Sequence, residues 1–285
     1  MRGQAGALRF VPDGERGWVV RRRWQAERLL HAGLAPAGGS PPAFARLLAG
    51  ALLQARRAEA GFWLPVAYAV QRFGPRLDLV IRPDAIEHVL LDCVALDGRR
   101  LHTGLWFVGA GDWTPIRWPM TRHQVSREAA ELLEQDLRYR DTAVYRSYRQ
   151  RAETLRPMVR NRVLLDSAEQ IDAYFERFVA LFQSIRENGV VRRSARRPMA
   201  LPGGGARSWW TELGEQDIGV AIDATGRLCK LPGGQHRFAI ARALGLSEVP
   251  VQVRMLHVDV LQGQCAQTLT SMIEQGRLRE LCNAG

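Results

Sequence analysis

The chain has 285 residues, a formal net charge of +11 and a sequence pI near 10.6. Its 46% hydrophobic and 24% charged residues are typical of a packed soluble protein that needs no disulfide or structural metal to build a core. The four cysteines are scattered without a C-x-x-C pair, which argues against a zinc site and a secreted disulfide framework. No apolar run reaches membrane-spanning length, so we expect a cytoplasmic protein.

The positive charge favours polyanionic partners such as nucleic acid, nucleotides or anionic lipid. Lys230 is the only lysine, and every other basic residue in that charge is an arginine. A biased genomic base composition produces the same skew, so the charge alone leaves a functional and a compositional origin open.

Residues 1–60 are predicted to form a basic helical segment. The stretches 18–34 and 42–55 combine apolar residues with arginines and are separated by a Gly/Ser/Pro linker. Such helices can lie on an anionic membrane surface as a peripheral contact. Basic outer faces are also common on helices that pack on their own protein, and we favour packing.

Residues 61–160 are predicted to form a small sheet followed by helices. Short apolar runs separated by Gly, Pro and Asp predict strands at 64–70, 77–81, 89–96 and 105–110. The pair Asp97–Gly98 is typical of a hairpin turn. Two helices are then expected, one over Ser126–Arg138 and one capped by Asp141 or Thr142.

Residues 161–285 are predicted to form an α/β domain. A capping box at Ser167–Gln170 begins a long helix, and Asn188–Gly189 ends it with a left-handed residue. A basic loop follows at 190–208. Its arginines are either solvated or able to clamp phosphate or nucleic acid; they are Arg192, Arg193, Arg196 and Arg197.

A strand–turn–helix unit comes next. Residues 218–222 and 227–231 predict a hairpin, Pro232 breaks its second strand, and 235–244 has the apolar spacing of a helix. A further strand is expected at 249–253. The order is therefore hairpin, helix, strand.

The turn between hairpin and helix predicts an anion site. Gly233 and Gly234 permit backbone conformations closed to other residues and let a ligand approach closely. They precede a helix that is predicted to begin at Gln235. The N–H groups in the first turn of a helix lack partners within it and lie at the positive end of its dipole. His236 and Arg237 follow, although cationic side chains are unfavourable there unless an anion is bound.

The segment Gly233–Arg237, together with the helix and strand after it, closely resembles the core of the ParB/sulfiredoxin superfamily. The resemblance covers roughly residues 165–257, including the helix end at Ser184–Gly189. More narrowly, the chain resembles a group of uncharacterised ParB-like proteins through Gly111–Trp113, through the Asp-Thr-x-x-Tyr element at Asp141–Tyr145, and through the terminal Gly-x-His-Arg helix.

Departures from the superfamily's patterns restrict what the resemblance implies. Gln235 stands where sulfiredoxin has its reactive cysteine, and an amide cannot replace a thiolate. Cys229, in the preceding strand, is expected to be a small core residue. Partition proteins carry Gly-Glu-Arg-Arg at this turn and a helix-turn-helix domain after it. Here His236 replaces the first arginine and the chain ends soon after His257, so a partition role is not expected.

The kinases of this fold resemble the chain in holding the β- and γ-phosphates with a Gly-x-His-Arg turn. The resemblance implies a nucleotide-binding, ATP-dependent phosphotransferase that uses Mg²⁺ and acts on a small-molecule or glycan-like acceptor. The implied nucleotide contacts are Gly233, Gly234, Gln235, His236, Arg237 and Lys230. Lys230 enters the turn from the strand, where its ammonium either reaches a phosphate or faces outward as an ordinary strand residue.

The implied catalytic residues are His236 and the carboxylates Asp217 and Glu215, which lie just before the hairpin. Glu187, at the preceding helix end, is a further carboxylate, and each of the three is equally well read as a surface acid or a helix cap. The weaker candidates, for which packing roles compete, are Asp112, Trp113 and Tyr145 for the acceptor and Arg254 and His257 near the turn.

We therefore expect an α+β protein with N-terminal helices, a small β region and a ParB/sulfiredoxin-like domain. The main alternative function is that of a nucleic-acid-binding protein or nuclease, which the net charge and the arginine loop favour. A non-catalytic nucleotide sensor, whose N-terminal helices bind a membrane or a partner, is a third interpretation.

Overall fold

The computed structural model of the chain describes residues 9–10, 41–57, 62–94, 100–101, 103–160, 163–192, 217–261 and 266–282. These residues form an α+β protein, which confirms the predicted fold class. Several predicted features lie outside the described residues: the helix over 18–34, the Asp97–Gly98 turn, Glu215, Arg193, Arg196 and Arg197.

Seven α-helices occur in this part of the chain. They are α1 (Pro41–Arg57), α2 (Val66–Phe73), α3 (Gln124–Glu134), α4 (Ala143–Glu153), α5 (Ala168–Asn188), α6 (Gln235–Ala243) and α7 (Ala266–Glu274). None of these seven is both long and apolar enough to cross a membrane. α1 buries Phe44, Leu48 and Leu52 in the main core, so its apolar face packs on the protein itself.

Thirteen strands are described. They are β1 (Arg9–Phe10), β2 (Phe62–Pro65), β3 (Asp78–Ile81), β4 (His88–Leu90), β5 (Cys93–Val94), β6 (Arg100–Leu101), β7 (Trp106–Gly109), β8 (Arg117–Pro119), β9 (Met158–Arg160), β10 (Val163–Leu165), β11 (Gly219–Ile222), β12 (Leu228–Lys230) and β13 (Val249–His257). The large sheet has the order β2-β7-β13-β11-β12-β4-β8, and β3 pairs with the first half of β13.

The centre of this sheet is the predicted hairpin–helix–strand unit. β11 and β12 are antiparallel neighbours, α6 crosses over, and β13 returns parallel to β11. Strands from earlier in the chain extend the sheet on both sides, because β4 pairs with β12 and β7 pairs with β13. The predicted segments 61–160 and 161–285 thus contribute to one sheet.

Helix α6 is buried between two hydrophobic cores. Its Phe238 and Ala241 belong to the core that includes the sheet, α1 and α2, whereas Ala239 and Ile240 belong to the core of α3, α4 and α5. The middle of the helix, Arg237 to Ala241, is buried, whereas Gln235, His236, Arg242 and Ala243 are partly exposed. The start of α6 is therefore held in place by both cores.

Three predicted helix ends are confirmed. The Thr142 hydroxyl accepts the N–H of Tyr145 at 3.1 Å at the start of α4. The Ser167 hydroxyl accepts the N–H of Gln170 at 3.3 Å at the start of α5. Gly189 ends α5 with a φ of 67°, a conformation that favours glycine.

Several predicted elements are wrong in type or boundary. The described part of the run 89–96 is divided between β4 and β5, which belong to different sheets. The apolar run 64–70 is a strand only as far as Pro65, and α2 begins at Val66. Ala69 and Phe73 are buried one helical turn apart, and this periodicity outweighs the local strand preference. α3 begins at Gln124 rather than at Ser126, whose hydroxyl instead lies 3.0 Å from Nδ1 of His123, the residue before the helix.

Candidate functional site

The glycine turn joins β12 to α6 through Pro232, Gly233 and Gly234. Gly233 has a φ of 106° and Gly234 a φ of 61°, values that residues with a side chain rarely adopt. The Gly234 carbonyl accepts the N–H of Phe238 at 3.0 Å, so Gly234 is the residue from which α6 begins. Gly233, Gln235 and His236 are each partly exposed. The predicted strand–turn–helix is therefore present and reaches the surface.

Lys230 lies beneath this turn and shapes it. Its side chain is fully buried, and its Nζ donates hydrogen bonds to the carbonyls of Leu231 and Gly233. In a planar trans peptide the C=O and N–H point in opposite directions. The carbonyl of Gly233 therefore faces Lys230, and the N–H of Gly234 faces away from it.

The burial of Lys230 rules out the outward-facing alternative, and its Nζ is directed at the carbonyls of the turn itself. Burial lowers the pKa of Lys230 well below its ordinary value, and the charges of Arg254 and Arg237 lower it further. An amine donates two hydrogen bonds in either charge state. Its contribution is thus the shape of the turn.

Arg237 points into the protein. Only 1% of the residue is exposed. Its Nη1 donates to the Val191 carbonyl at 3.1 Å, and its Nη2 lies 3.6 Å from Oδ1 of Asp217. Arg237 and Asp217 are thus partners of each other. This favours an internal ion pair over the phosphate contact predicted for Arg237 and the catalytic role predicted for Asp217.

A β-bulge aims Arg254 at the same region. β11 pairs Val220 with Val253 and Ala221 with Met255, so Arg254 is the extra residue on β13. A methyl group added at Gly219 would lie 3.1 Å from Cδ of Arg254, which shows that this side chain passes over the glycine. Burial lowers the pKa of Arg254, with Asp217 raising it and Arg237 lowering it.

His236 lies on the other side of the turn and belongs to a different group of residues. Its Nε2 is 2.9 Å from the hydroxyl of Tyr174 on α5, and its ring packs edge-on against Phe178 with centroids 4.9 Å apart. Burial lowers the pKa of His236 to about 4, and the charges of Arg160 and His123 act in the same direction. At pH 7 the imidazole is therefore neutral.

The Tyr174 hydroxyl leads to a buried carboxylate. Glu128 on α3 is 1% exposed and accepts hydrogen bonds from Tyr174 at 3.1 Å and from Tyr148 at 2.6 Å. Arg160 on β9 pairs with the same carboxylate at 3.1 Å, and its Nε donates to the Tyr148 hydroxyl at 2.6 Å. We call Glu128, Tyr148, Tyr174, Arg160 and His236 the Glu128 network.

Only His236 of the Glu128 network was predicted from the sequence. The indication that could have found Glu128 is its place on the apolar face of α3, between the buried Val125 and Leu132. A carboxylate on such a face must be paired when it is buried. The partners themselves come from three other elements and carry no local pattern.

The residues considered for the acceptor have packing partners. Oδ1 of Asp112 accepts the N–H of Thr114 at 2.8 Å, which is a turn-stabilising contact. The Trp113 ring is buried against His257, with ring centroids 4.7 Å apart. The Tyr145 hydroxyl donates to Asp172 at 2.7 Å. These contacts agree with the packing roles considered for these residues as the alternative to acceptor binding.

The remaining candidates lie elsewhere. His257 is buried, with Nε2 2.8 Å from the Gly111 carbonyl, and Glu187 is exposed near the end of α5. Cys229 is buried in β12, where burial raises the pKa of its thiol to about 12, so it behaves as a core residue. Arg192, on the described part of the basic loop, is ion-paired with Asp78.

The low pKa of His236 predicts a loss of stability in acid. The unfolded chain has a histidine pKa near 6.5 and the folded one about 4, so between these values the unfolded chain binds more protons. This contribution to the free energy of unfolding is complete above pH 6.5 and is lost as the pH falls towards 4. Its upper limit is about 3 kcal/mol.

The measurement is urea unfolding at several pH values between 7.5 and 4, for wild type and for His236→Gln. Glutamine keeps an N–H for Tyr174 but does not titrate. We expect the stability difference between the two proteins to shrink as the pH falls. The same pH dependence in both would show that His236 is not held neutral.

No family model, curated protein or solved structure matches the chain. The resemblance to the ParB/sulfiredoxin superfamily therefore stays a prediction, and the function has to be inferred from the glycine turn and its surroundings.

Proposed function

We propose that the chain binds a nucleotide through its phosphates at the glycine turn and transfers a phosphoryl group from ATP to a small-molecule or glycan-like acceptor. The observation that carries this proposal is the clamped turn. Two glycines with left-handed φ precede a helix. Lys230 holds the carbonyls of Leu231 and Gly233 inward, so the N–H of Gly234 faces away from it. Such an arrangement favours outward-directed N–H groups at the positive end of a helix, which is an anion site.

Electrostatics support an anion at this place. Arg237 lies close enough to Arg254 for its charge to lower the pKa of Arg254. Asp217 lies 3.6 Å from Arg237 and acts on Arg254 in the opposite direction. Both guanidinium groups lie in the region under the turn. A phosphate bound there would be attracted by these cationic groups, and the net charge of +11 would attract it from a distance.

In this proposal the backbone of Gly233, Gly234 and Gln235 binds the phosphates, and Lys230 and Arg237 act from beneath. Magnesium would enter with the nucleotide, since it binds mainly to phosphate oxygens, to water and to one or two carboxylates. Asp217 and Glu215 are the candidates for those carboxylates. Within the described ranges no three His, Cys, Asp or Glu side chains converge on a metal position.

Phosphoryl transfer fits this site because the reaction requires mainly positioning and charge neutralisation. The sulfinate chemistry of the superfamily is not proposed, because Gln235 has no thiolate and Cys229 is buried with a raised pKa. Nucleic-acid binding is the alternative. Of the loop arginines on which it relies, Arg192 is paired with Asp78, and the other three lie outside the described residues.

The test is the substitution Gln235→Glu. The new carboxylate is almost isosteric and stands at the first position of α6, where it interacts favourably with the helix dipole by about 0.3–1 kcal/mol. It would repel a phosphate bound to the same N–H groups. We therefore expect the melting temperature without ligand to stay or rise, and the nucleotide-induced increase to disappear.

The measurement is a thermal-shift panel of ATP, ADP, CTP, GTP and inorganic phosphate with Mg²⁺. At one hundred times Kd, wild type should gain about 5 °C. The matched control is Gln267→Glu, which places the same charge in the first turn of α7 on an exposed residue and should keep the full shift. No shift of the wild type with any ligand, or equal shifts in both variants, would refute phosphate binding at the turn.

A further inference from the structure

The hydrogen bonds around Tyr174 determine which nitrogen of His236 carries the proton. The Tyr174 hydroxyl has one proton, and the Glu128 carboxylate 3.1 Å away can only accept it. The Tyr174 oxygen is then an acceptor towards His236, 2.9 Å away. His236 must therefore donate, so its neutral ring is protonated on Nε2 and has a lone pair on Nδ1.

That lone pair is available for chemistry. None of the described residues forms a hydrogen bond with Nδ1 of His236, and part of the residue is exposed. A pKa of about 4 keeps the ring neutral at pH 7, with Arg160 and His123 as the charges that act on it. A neutral imidazole in a fixed tautomer is a proton acceptor rather than a ligand for phosphate oxygens.

The position of His236 relates it to the proposed phosphate site. It is the second residue of α6, directly after Gln235 and two residues after Gly234. His236 therefore lies in the same first helical turn as the N–H groups that the proposed function assigns to the phosphates.

We propose that His236 is the general base of the reaction and that the acceptor is a hydroxyl compound. This inference rests on the proposed function. The acceptor's O–H bond breaks and its proton passes to Nδ1 of His236, while the oxygen forms a bond to the γ-phosphorus. The bond from the γ-phosphorus to the β,γ-bridging oxygen breaks, and the nucleoside diphosphate leaves with that electron pair. Nδ1 then releases the proton to solvent.

Tyr174 and Glu128 act as positioning residues in this step. Glu128 accepts the hydrogen bond of the Tyr174 hydroxyl, and the Tyr174 oxygen in turn accepts the hydrogen bond of Nε2–H of His236. This arrangement corresponds to a base oriented by a third group through an intervening hydroxyl.

The first test is spectroscopic and needs no ligand. Long-range ¹H–¹⁵N correlation on ¹⁵N-histidine-labelled full chain reports which ring nitrogen is protonated, and His236→Gln assigns the signal. We expect the Nε2–H form of His236 at pH 7. Observation of the Nδ1–H form, or of an even mixture, would overturn the inference.

Two tyrosine variants make a matched pair. Tyr174→Phe and Tyr148→Phe each remove a buried hydroxyl bonded to Glu128, but only Tyr174 contacts His236. In Tyr174→Phe we expect His236 to lose its preference for the Nε2–H form, and in Tyr148→Phe we expect it to keep that preference. If both variants keep it, Tyr174 does not position the ring. If the variants fail to fold, the wild-type spectrum still decides the tautomer.

The second test uses Mg-ATP with water as the acceptor and measures phosphate release. His236→Gln should lower kcat about 100-fold while the ATP-induced thermal shift stays within twofold in apparent affinity. An ATP-induced shift in the wild type without phosphate release, or with equal kcat in His236→Gln, would overturn the inference and leave nucleotide binding intact. Absence of any shift would instead refute the proposed function, and the base role with it.

Discussion

Replacing Glu128 by glutamine is expected to lower the free energy of unfolding by about 3–5 kcal/mol. The carboxylate is 1% exposed and accepts hydrogen bonds from two tyrosines and from Arg160. Glutamine has nearly the same shape, but it leaves the Arg160 guanidinium without its counter-charge. It also turns an NH₂ group towards donors, so buried polar groups lose their partners.

Urea unfolding at pH 7 measures this effect, and Glu134→Gln is its matched control. Glu134 lies on the same helix, α3, but is exposed at its end, so the same substitution there should change stability by no more than about 0.5 kcal/mol. Equal effects of the two substitutions would mean that the Glu128 network adds nothing to stability.

The net contribution of the Glu128–Arg160 ion pair can be measured apart from the cost of leaving one of its charges unpaired. Arg160→Met removes the other charge, and its side chain is 15% exposed. In the double variant with Glu128→Gln no unpaired buried charge remains. The loss of stability should therefore be clearly smaller than the sum of the two single losses.

Replacing Lys230 by methionine is expected to weaken nucleotide binding by about 10–100-fold, or roughly 1.4–2.8 kcal/mol. Methionine fills a similar volume but cannot donate to the carbonyls of Leu231 and Gly233. The turn would then lose the contact that fixes its peptide planes, and a ligand would have to order them on binding. The free energy of unfolding should change by less than the free energy of binding, because a buried amine no longer has to be desolvated when the chain folds.

The measurement is a titration with Mg-ATP, followed by thermal shift or calorimetry. Arg227→Met is the matched control, because Arg227 is exposed in the same hairpin and the substitution removes one positive charge without touching the turn. An equal loss of affinity in both variants would show that Lys230 acts only by its charge. Unchanged affinity in Lys230→Met would refute the clamp.

The C-terminal unit could be predicted because glycines and prolines mark its boundaries. Observed strands and helix agree with the predicted 218–222, 227–231 and 235–244 to within one residue at each end. At Gly233 and Gly234 the backbone requirement is local, so the residue type alone indicates the conformation. The strand at 249–253 runs on to His257, because its later residues pair with β7 as well as β11.

Side-chain direction could not be predicted in the same way. Lys230 follows Cys229 in β12, and a strand with one solvated face would expose one of them. Both are buried, because β12 is covered on both faces. Arg237 was likewise predicted to bind phosphate from its place in the first turn, but its side chain is buried and turns inward to Asp217.

The Glu128 network depends on tertiary contacts alone. Its carboxylate is 46 residues from Tyr174 and 32 from Arg160 along the chain, so no short pattern connects them. Each residue taken singly is typical of an amphipathic helix or an edge strand. Only the packing of α3 against α5 and α6 shows that one buried acid collects these partners.

The burial of Lys230 has a practical consequence because no second lysine exists in the chain. A protease specific for lysine has a single target, the bond between Lys230 and Leu231, and both residues are fully buried. Cleavage into fragments 1–230 and 231–285 therefore requires that the central sheet open, and its rate reports the free energy of that opening. The rate of cleavage at this single lysine therefore measures how often the centre of the molecule unfolds.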